Sequence, residues 1–115
     1  MALSEFETAL AEVHLDEYIE AKRPPVDIRD EVDLAYRVEN QSVVVFEIRP
    51  SFRDRSRKIE EMVGKATYVK RANEWRIYWQ RADLKWHAYE PFPTAQTLQE
   101  FLDILEDDQY GCFWG

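Results

Sequence analysis

Asp33, Glu47 and Arg49 are the residues of this 115-residue chain whose order comes nearest to an enzymatic pattern. An Asp followed at a distance by Glu-x-Lys is how one class of nuclease holds a divalent metal. The two carboxylates are hard oxygen ligands, and the lysine stands beside the attacking water. Here arginine takes the lysine position, and a guanidinium stays protonated and cannot serve as a base. The alternative is a cross-strand charge set, which any hairpin in an acidic protein can produce. His87, close to Glu90 in sequence, is the better placed of two histidines to act as a base near neutrality. No nucleophile accompanies it, so the plain reading is a surface histidine. His14 has no spaced partner and receives no role. Two His and one Cys give none of the paired zinc spacings. Glycines at 64, 111 and 115 cannot form a phosphate-cradling loop. No metal or cofactor is therefore expected. Cys112 lies among aromatic residues with acids upstream, the opposite of what activates a thiol, and is expected to be structural.

Binding chemistry is denser than catalytic chemistry. The stretch "YWQRADLKWHAYEP" interleaves aromatic, cationic and polar residues around one short turn. Period-two alternation with turns at Ala72-Asn73 and Ala82-Asp83 sorts three strands into two faces. One collects Ala66, Tyr68, Trp75, Ile77, Trp79, Trp86 and Ala88, which reads as core. The other collects Lys65, Thr67, Arg76, Tyr78, Gln80, Lys85, His87 and Tyr89. Of these, Lys65, Arg76, Tyr78, Lys85, His87 and Tyr89 form a candidate surface for an anionic partner, a nucleic acid or an acidic protein. Bases stack on exposed rings while cations follow the backbone. The plainer alternative is a solvated sheet face of good strand formers. A one-residue slip in the last strand would exchange its members between the faces.

Charge is unevenly placed. Residues 48–87 hold eleven Lys/Arg against five Asp/Glu, inside a chain whose formal net charge is −8. This basic middle either faces a polyanion or is neutralised by the acidic flanks. The length suits one domain able to bury its own core. No apolar run is long enough to span a membrane, the N-terminus lacks the layout of a signal peptide, and one cysteine cannot form an internal disulfide. A cytoplasmic location is the simplest expectation.

The elements that must position these residues are marked locally. Ser4-Glu5-Phe6-Glu7 is a capping box, followed by Leu3, Phe6, Leu10 and Val13 at helical spacing, and Pro24-Pro25 stop the helix. Val32 to Val38 alternates as a half-buried strand, and "SVVVFEIRP" follows as a second. A three-residue turn near Asn40-Gln41 is preferred, placing Val44, Phe46 and Ile48 on the face of Leu34, Tyr36 and Val38. In that register Asp33, Glu47 and Arg49 leave one face together. The charged stretch 51–64 reads as a connection with a helical turn or two around 58–63. Thr97-Leu98-Gln99-Glu100 is a second capping box, and Leu98, Phe101, Leu102 and Leu105 form one apolar stripe. Tyr110, Phe113 and Trp114 are expected to fold back on the sheet, the alternative being insertion into a partner subunit of a homodimer.

The segments "FEIRPSFRD", "WRIYWQRADLKWHAYEPFP" and "FLDILEDDQYGCFWG" resemble the small bacterial proteins of domain-of-unknown-function family 3024. The resemblance runs over about residues 31–115, and "RADLKWHAYEP" with the terminal "CFWG" are its most specific parts. It implies a stand-alone bacterial cytosolic protein and carries no catalytic role to any residue. The expected architecture is one α+β domain over residues 1–115. It comprises an N-terminal helix, an antiparallel meander of about five strands and a C-terminal helix, both helices on the tryptophan-bearing face.

Overall fold

The computed structural model of the protein describes residues 2–114. The fold is α+β. Helix α1 spans Glu5–Lys22. Strands β1 (Asp33–Glu39), β2 (Ser42–Pro50), β3 (Lys58–Val69), β4 (Glu74–Gln80), β5 (Trp86–Ala88) and β6 (Thr94–Ala95) follow, and α2 (Leu98–Asp107) comes last. The strands lie in the order β1-β2-β3-β4-β5, all antiparallel, with β6 also paired to β4. Both helices cover one face, where Leu15, Ile19, Phe101, Leu102 and Leu105 meet Leu34, Val43, Val45, Ala66, Trp75 and Ile77.

The first cap is the reciprocal box its sequence predicts, and the second forms only half of one. Ser4 Oγ accepts from Glu7 N at 3.0 Å, and Glu7 accepts from Ser4 N at 2.9 Å. Thr97 Oγ1 accepts from Glu100 N, but the Glu100 carboxylate reaches one residue further back, to Gln96 N at 2.8 Å. The α2 stripe packs as its spacing predicts. Helix α1 departs from expectation: it buries Ala11, Leu15 and Ile19, while Phe6, Leu10 and Val13 stand 77%, 52% and 54% exposed. Both stripes fit a 3.6-residue period, so contact with β1 and α2, and not spacing, decides which one is inward.

Three turn lengths set the sidedness of the sheet. The β1–β2 turn has two residues, because Glu39 pairs with Ser42. Asn40 supplies the left-handed backbone at φ 53°, a conformation asparagine tolerates well. The preferred three-residue turn is thus corrected: Val43 and Val45 join Leu34, Tyr36 and Val38, while Val44, Phe46 and Ile48 face the other way. Leu3 N and Tyr68 N donate to the carbonyls of Asn40 and Gln41, which ties the turn to both neighbouring segments. The β3–β4 connection holds residues 70–73 with Asn73 left-handed, and Ala66 pairs with Ile77. It is longer than expected by two residues, an even number, so the faces of β3 and β4 stand as read.

The β4–β5 turn is where the slip falls. Arg81 N bonds Lys85 O, leaving Ala82, Asp83 and Leu84 as a three-residue loop with Leu84 at φ 63°. That loop is one residue longer than a simple Ala-Asp turn, so every member of β5 changes face. The segment 58–63 is also corrected from helical turn to strand. It is the first half of β3, zipped to β2 from Pro50–Lys58 to Phe46–Met62. Its register shifts at Val63, which is buried. Pairing with β2 overrides the weak strand preference of "KIEE". Beyond β5, residues 90–93 loop outward between two bonds made by one residue: Tyr89 N donates to Ile77 O, and Ile77 N donates to Pro93 O.

Candidate sheet-face binding site

The helix-free face of the sheet is organised in rows across the strands. Register places Ser42, Thr67, Arg76 and Thr94 in one row, and Arg37, Val44, Lys65, Tyr78 and Ala88 in the next. Gln80 and Trp86 lie beyond. Neighbouring strands are about 4.8 Å apart, so the side chains of a row touch. Ser42 and Thr67 share a hydroxyl hydrogen bond of 2.7 Å. Lys65 Nζ lies 5.7 Å from the Trp86 ring centroid, within reach of a cation–π attraction. Arg37 lies over the Phe46 ring at 4.6 Å, and its guanidinium makes a two-point bond to Glu60 at 2.8 and 3.1 Å. That bond holds the Glu60 carboxyl below the usual carboxylate range.

Of the six residues expected to share this surface, three do. Lys65, Arg76 and Tyr78 face away from the helices. Lys85, His87 and Tyr89 carry the opposite parity, because of the three-residue β4–β5 loop. Tyr89 is 1% exposed, against Phe113 at a ring separation of 4.7 Å. Burial pushes its phenol pKa up. His87 pairs opposite Trp79 and bonds Asp83 at 2.9 Å. The Asp83 carboxyl is held low by the Lys85 backbone N–H first and by His87 second. In exchange, Trp86 and Ala88, read as core, stand on the helix-free face. The alternation of β5 was visible in the sequence; its phase was set by a left-handed leucine, which no residue preference announces.

The basic middle of the chain divides in two. Arg49, Arg55 and Lys70 are paired with Glu61, Glu31 and Glu7 respectively. Among the described residues Lys65 and Arg76 make no ion pair. The acidic helices lie on the other side of the sheet and leave both uncovered. Phe52 was missed by sequence reading. It stands 99% exposed in the 51–57 loop between Ser51 and Arg53. That loop is closed by Ser51 N to Arg57 O at 2.7 Å and by Asp54 bonds to Ser56. A phenylalanine in an arginine-rich run was the available signal.

The nuclease-like set does not form the arrangement expected of it. Asp33 pairs with Ile48, so it leaves the face opposite to Glu47 and Arg49. Asp33, Glu47 and Arg49 do reach the wall of one 250 Å³ depression, together with Lys22 and Trp114. There the Asp33 carboxylate is gripped by Arg23 at 2.7 and 3.0 Å, which lowers its pKa. Glu47 is bonded to Arg49 at 3.3 Å. Among the described residues no group of three or more His, Cys, Asp or Glu is suited to a metal ion.

Two of the three C-terminal aromatic residues, Phe113 and Trp114, fold back as read. Phe113 is buried, and Trp114 Nε1 donates to Leu105 O at 2.9 Å. Asp108, left-handed at φ 38°, accepts from the Phe113 and Trp114 N–H groups at 3.1 and 2.9 Å. Tyr110 stays exposed. Cys112 is half-buried, and burial pushes its thiol up.

A family model described as a domain of unknown function (DUF3024) matches residues 3–115, and the chain belongs to that family. The match includes α1, which lay outside the segments that carried the resemblance in the sequence. No curated protein matches the chain, and no solved structure does. No helix among the described residues is long and apolar enough to cross a membrane.

Proposed function

From a family whose description names no activity, we propose a non-enzymatic binding module that takes a single-stranded nucleic acid on the helix-free sheet face. The observation that carries this reading is the pairing of free cations with accessible rings. Lys65 and Arg76 are unpaired among the described residues and are not covered by the acidic helices; Lys65 lies beside Tyr78 and Trp86, and Arg76 stands next to Tyr78 on the same face of β4. Phosphates would meet the cations while bases stack on the rings, a mode that needs no sequence readout. Phe52, with Arg53 and Arg57 near it in its loop, offers the same chemistry at the far end of the β2–β3 hairpin. A reducing bacterial cytoplasm is the setting we propose, in keeping with a single cysteine.

The test is fluorescence anisotropy of labelled single-stranded DNA, single-stranded RNA and duplex DNA at ~50 and ~200 mM salt. Single strands are expected to bind best, and to weaken by about tenfold or more between the two salts. Lys65→Glu/Arg76→Glu should abolish binding, and Trp86→Ala should weaken it with little change in salt slope. Lys85→Glu, on the other parity, should matter less. Absence of binding at ~10 μM protein in low salt overturns the nucleic-acid reading. Binding of an acidic polypeptide in its place would assign the face to an acidic protein.

A further inference from the structure

On the other side of the molecule, the helical layer carries a second surface of opposite character. A cavity of about 370 Å³ opens between α1, the N-terminus of α2 and the sheet. Its apolar walls are Leu3, Leu10, Ala11, Tyr68, Trp75 and Leu98. Tyr68 and Trp75 form its floor as a tilted ring pair 5.2 Å apart. Leu10 belongs both to this groove and to the outward stripe of α1, so Phe6 and Val13 extend the apolar surface up the helix. Single exposed apolar residues need no explanation, but a contiguous patch beside a groove marks an interaction site.

The surroundings of that patch define what it fits. The two helices together carry ten carboxylates and one lysine. Glu7 lines the groove itself, shared with Lys70 at 3.8 Å, and Glu17, one turn beyond Val13 on the same stripe, makes no ion pair among the described residues. We propose that this groove and the Phe6–Leu10–Val13 stripe dock a cationic amphipathic helix of a partner protein. Apolar residues at i, i+3, i+4 and i+7 would enter the groove, as in other helix-in-groove recognition. Lysines or arginines on its flanks would meet the α1 carboxylates. A second copy of this chain fits poorly, because it would lay one acidic α1 against another, and like charges in register repel.

The proposal is tested with two synthetic helices of ~18 residues, long enough to form in water. They share leucines at the stated spacing and carry either Lys or Glu elsewhere. Titration against the whole protein should show the lysine helix binding, more weakly as salt rises, and the glutamate helix at least ~10-fold weaker. Phe6→Ser/Leu10→Ser should cost at least ~10-fold. Both side chains are exposed, so the circular dichroism and Tm of this variant should match the parent. Lys65→Glu/Arg76→Glu should leave helix binding unchanged, which separates this surface from the sheet face. Equal binding of both helices, no binding of either, or no effect of the double serine variant overturns the proposal. Self-association in sedimentation that the serine variant abolishes overturns it too, and makes a second copy the occupant.

Discussion

The two faces of this sheet are made by the same strands, yet they are held to different physical standards. On the helix-covered side, Val43, Val45, Ala66 and Ile77 are fully enclosed, and even Gly64 has no space beside it. On the other side only Val44 and Phe46 are buried, beneath polar neighbours such as Arg37, and Arg76 is exposed to water. A packed interior tolerates little change in volume. A row of cross-strand pairs contributes only tenths of a kcal/mol per pair. The covered face should therefore carry the stability, leaving the open one free to carry recognition.

The sharpest way to break that contrast is to truncate one ring on each side. Phe101→Ala should destabilise by about 3–5 kcal/mol. Tyr78→Ala should cost under about 1 kcal/mol in urea unfolding. Comparable losses would mean that the open face is structural after all. The next effect adds an atom instead of removing one. A Cβ at Gly64 would stand 2.6 Å from Leu105 Cδ2 and 3.3 Å from Phe113 Cδ1. Gly64→Ala should thus cost about 1–3 kcal/mol by overpacking, read in the same assay. Asp108→Ala removes the acceptor of the Phe113 and Trp114 N–H groups. A loss of about 1–2 kcal/mol is expected, with a change in the near-ultraviolet dichroism of Trp114 as the tail loosens.

The smallest effect is read in pH. Asp33 is held low chiefly by its bond to Arg23, so its folded pKa lies below its unfolded one. Its contribution is present above the unfolded value, about pH 4, and is lost as pH falls through the folded value. Arg23→Gln should lower Tm at pH 7, and the gap from the parent should close as pH falls below the unfolded value and through the folded one. A gap that persisted in acid would assign the role of Arg23 to packing of its stem.

Legibility followed the same divide. The α2 stripe was plain because one face of that helix is apolar and the other is acidic. Helix α1 offered two apolar stripes, and only the position of β1 and α2 could choose Leu15 and Ile19 over Phe6 and Val13. The faces of β3 and β4 survived an error in turn length because the error was even. The faces of β2 and β5 did not, because Asn40-Gln41 and Ala82-Asp83-Leu84 differ from the expected turns by one residue each. So Lys65, Arg76 and Tyr78 were placed by alternation alone, while Trp86 had to exchange sides with His87 and Tyr89. Phe52 stayed hidden because exposure is a property of the folded loop, and a phenylalanine ordinarily argues for the interior.

The strand order also bears on how the chain finds its structure. Strands β2 to β5 each pair with the strand before them and β6 returns to β4, so the hairpins close over loops of two to seven residues and the sheet is a chain of local contacts. Low contact order of this kind favours rapid folding. The long-range part is the closure of α1 on α2, in which Tyr18 and Lys22 reach Glu106 across more than eighty residues. The costliest loop closure is thereby left to the helical layer, after the sheet has a template on which both helices can land.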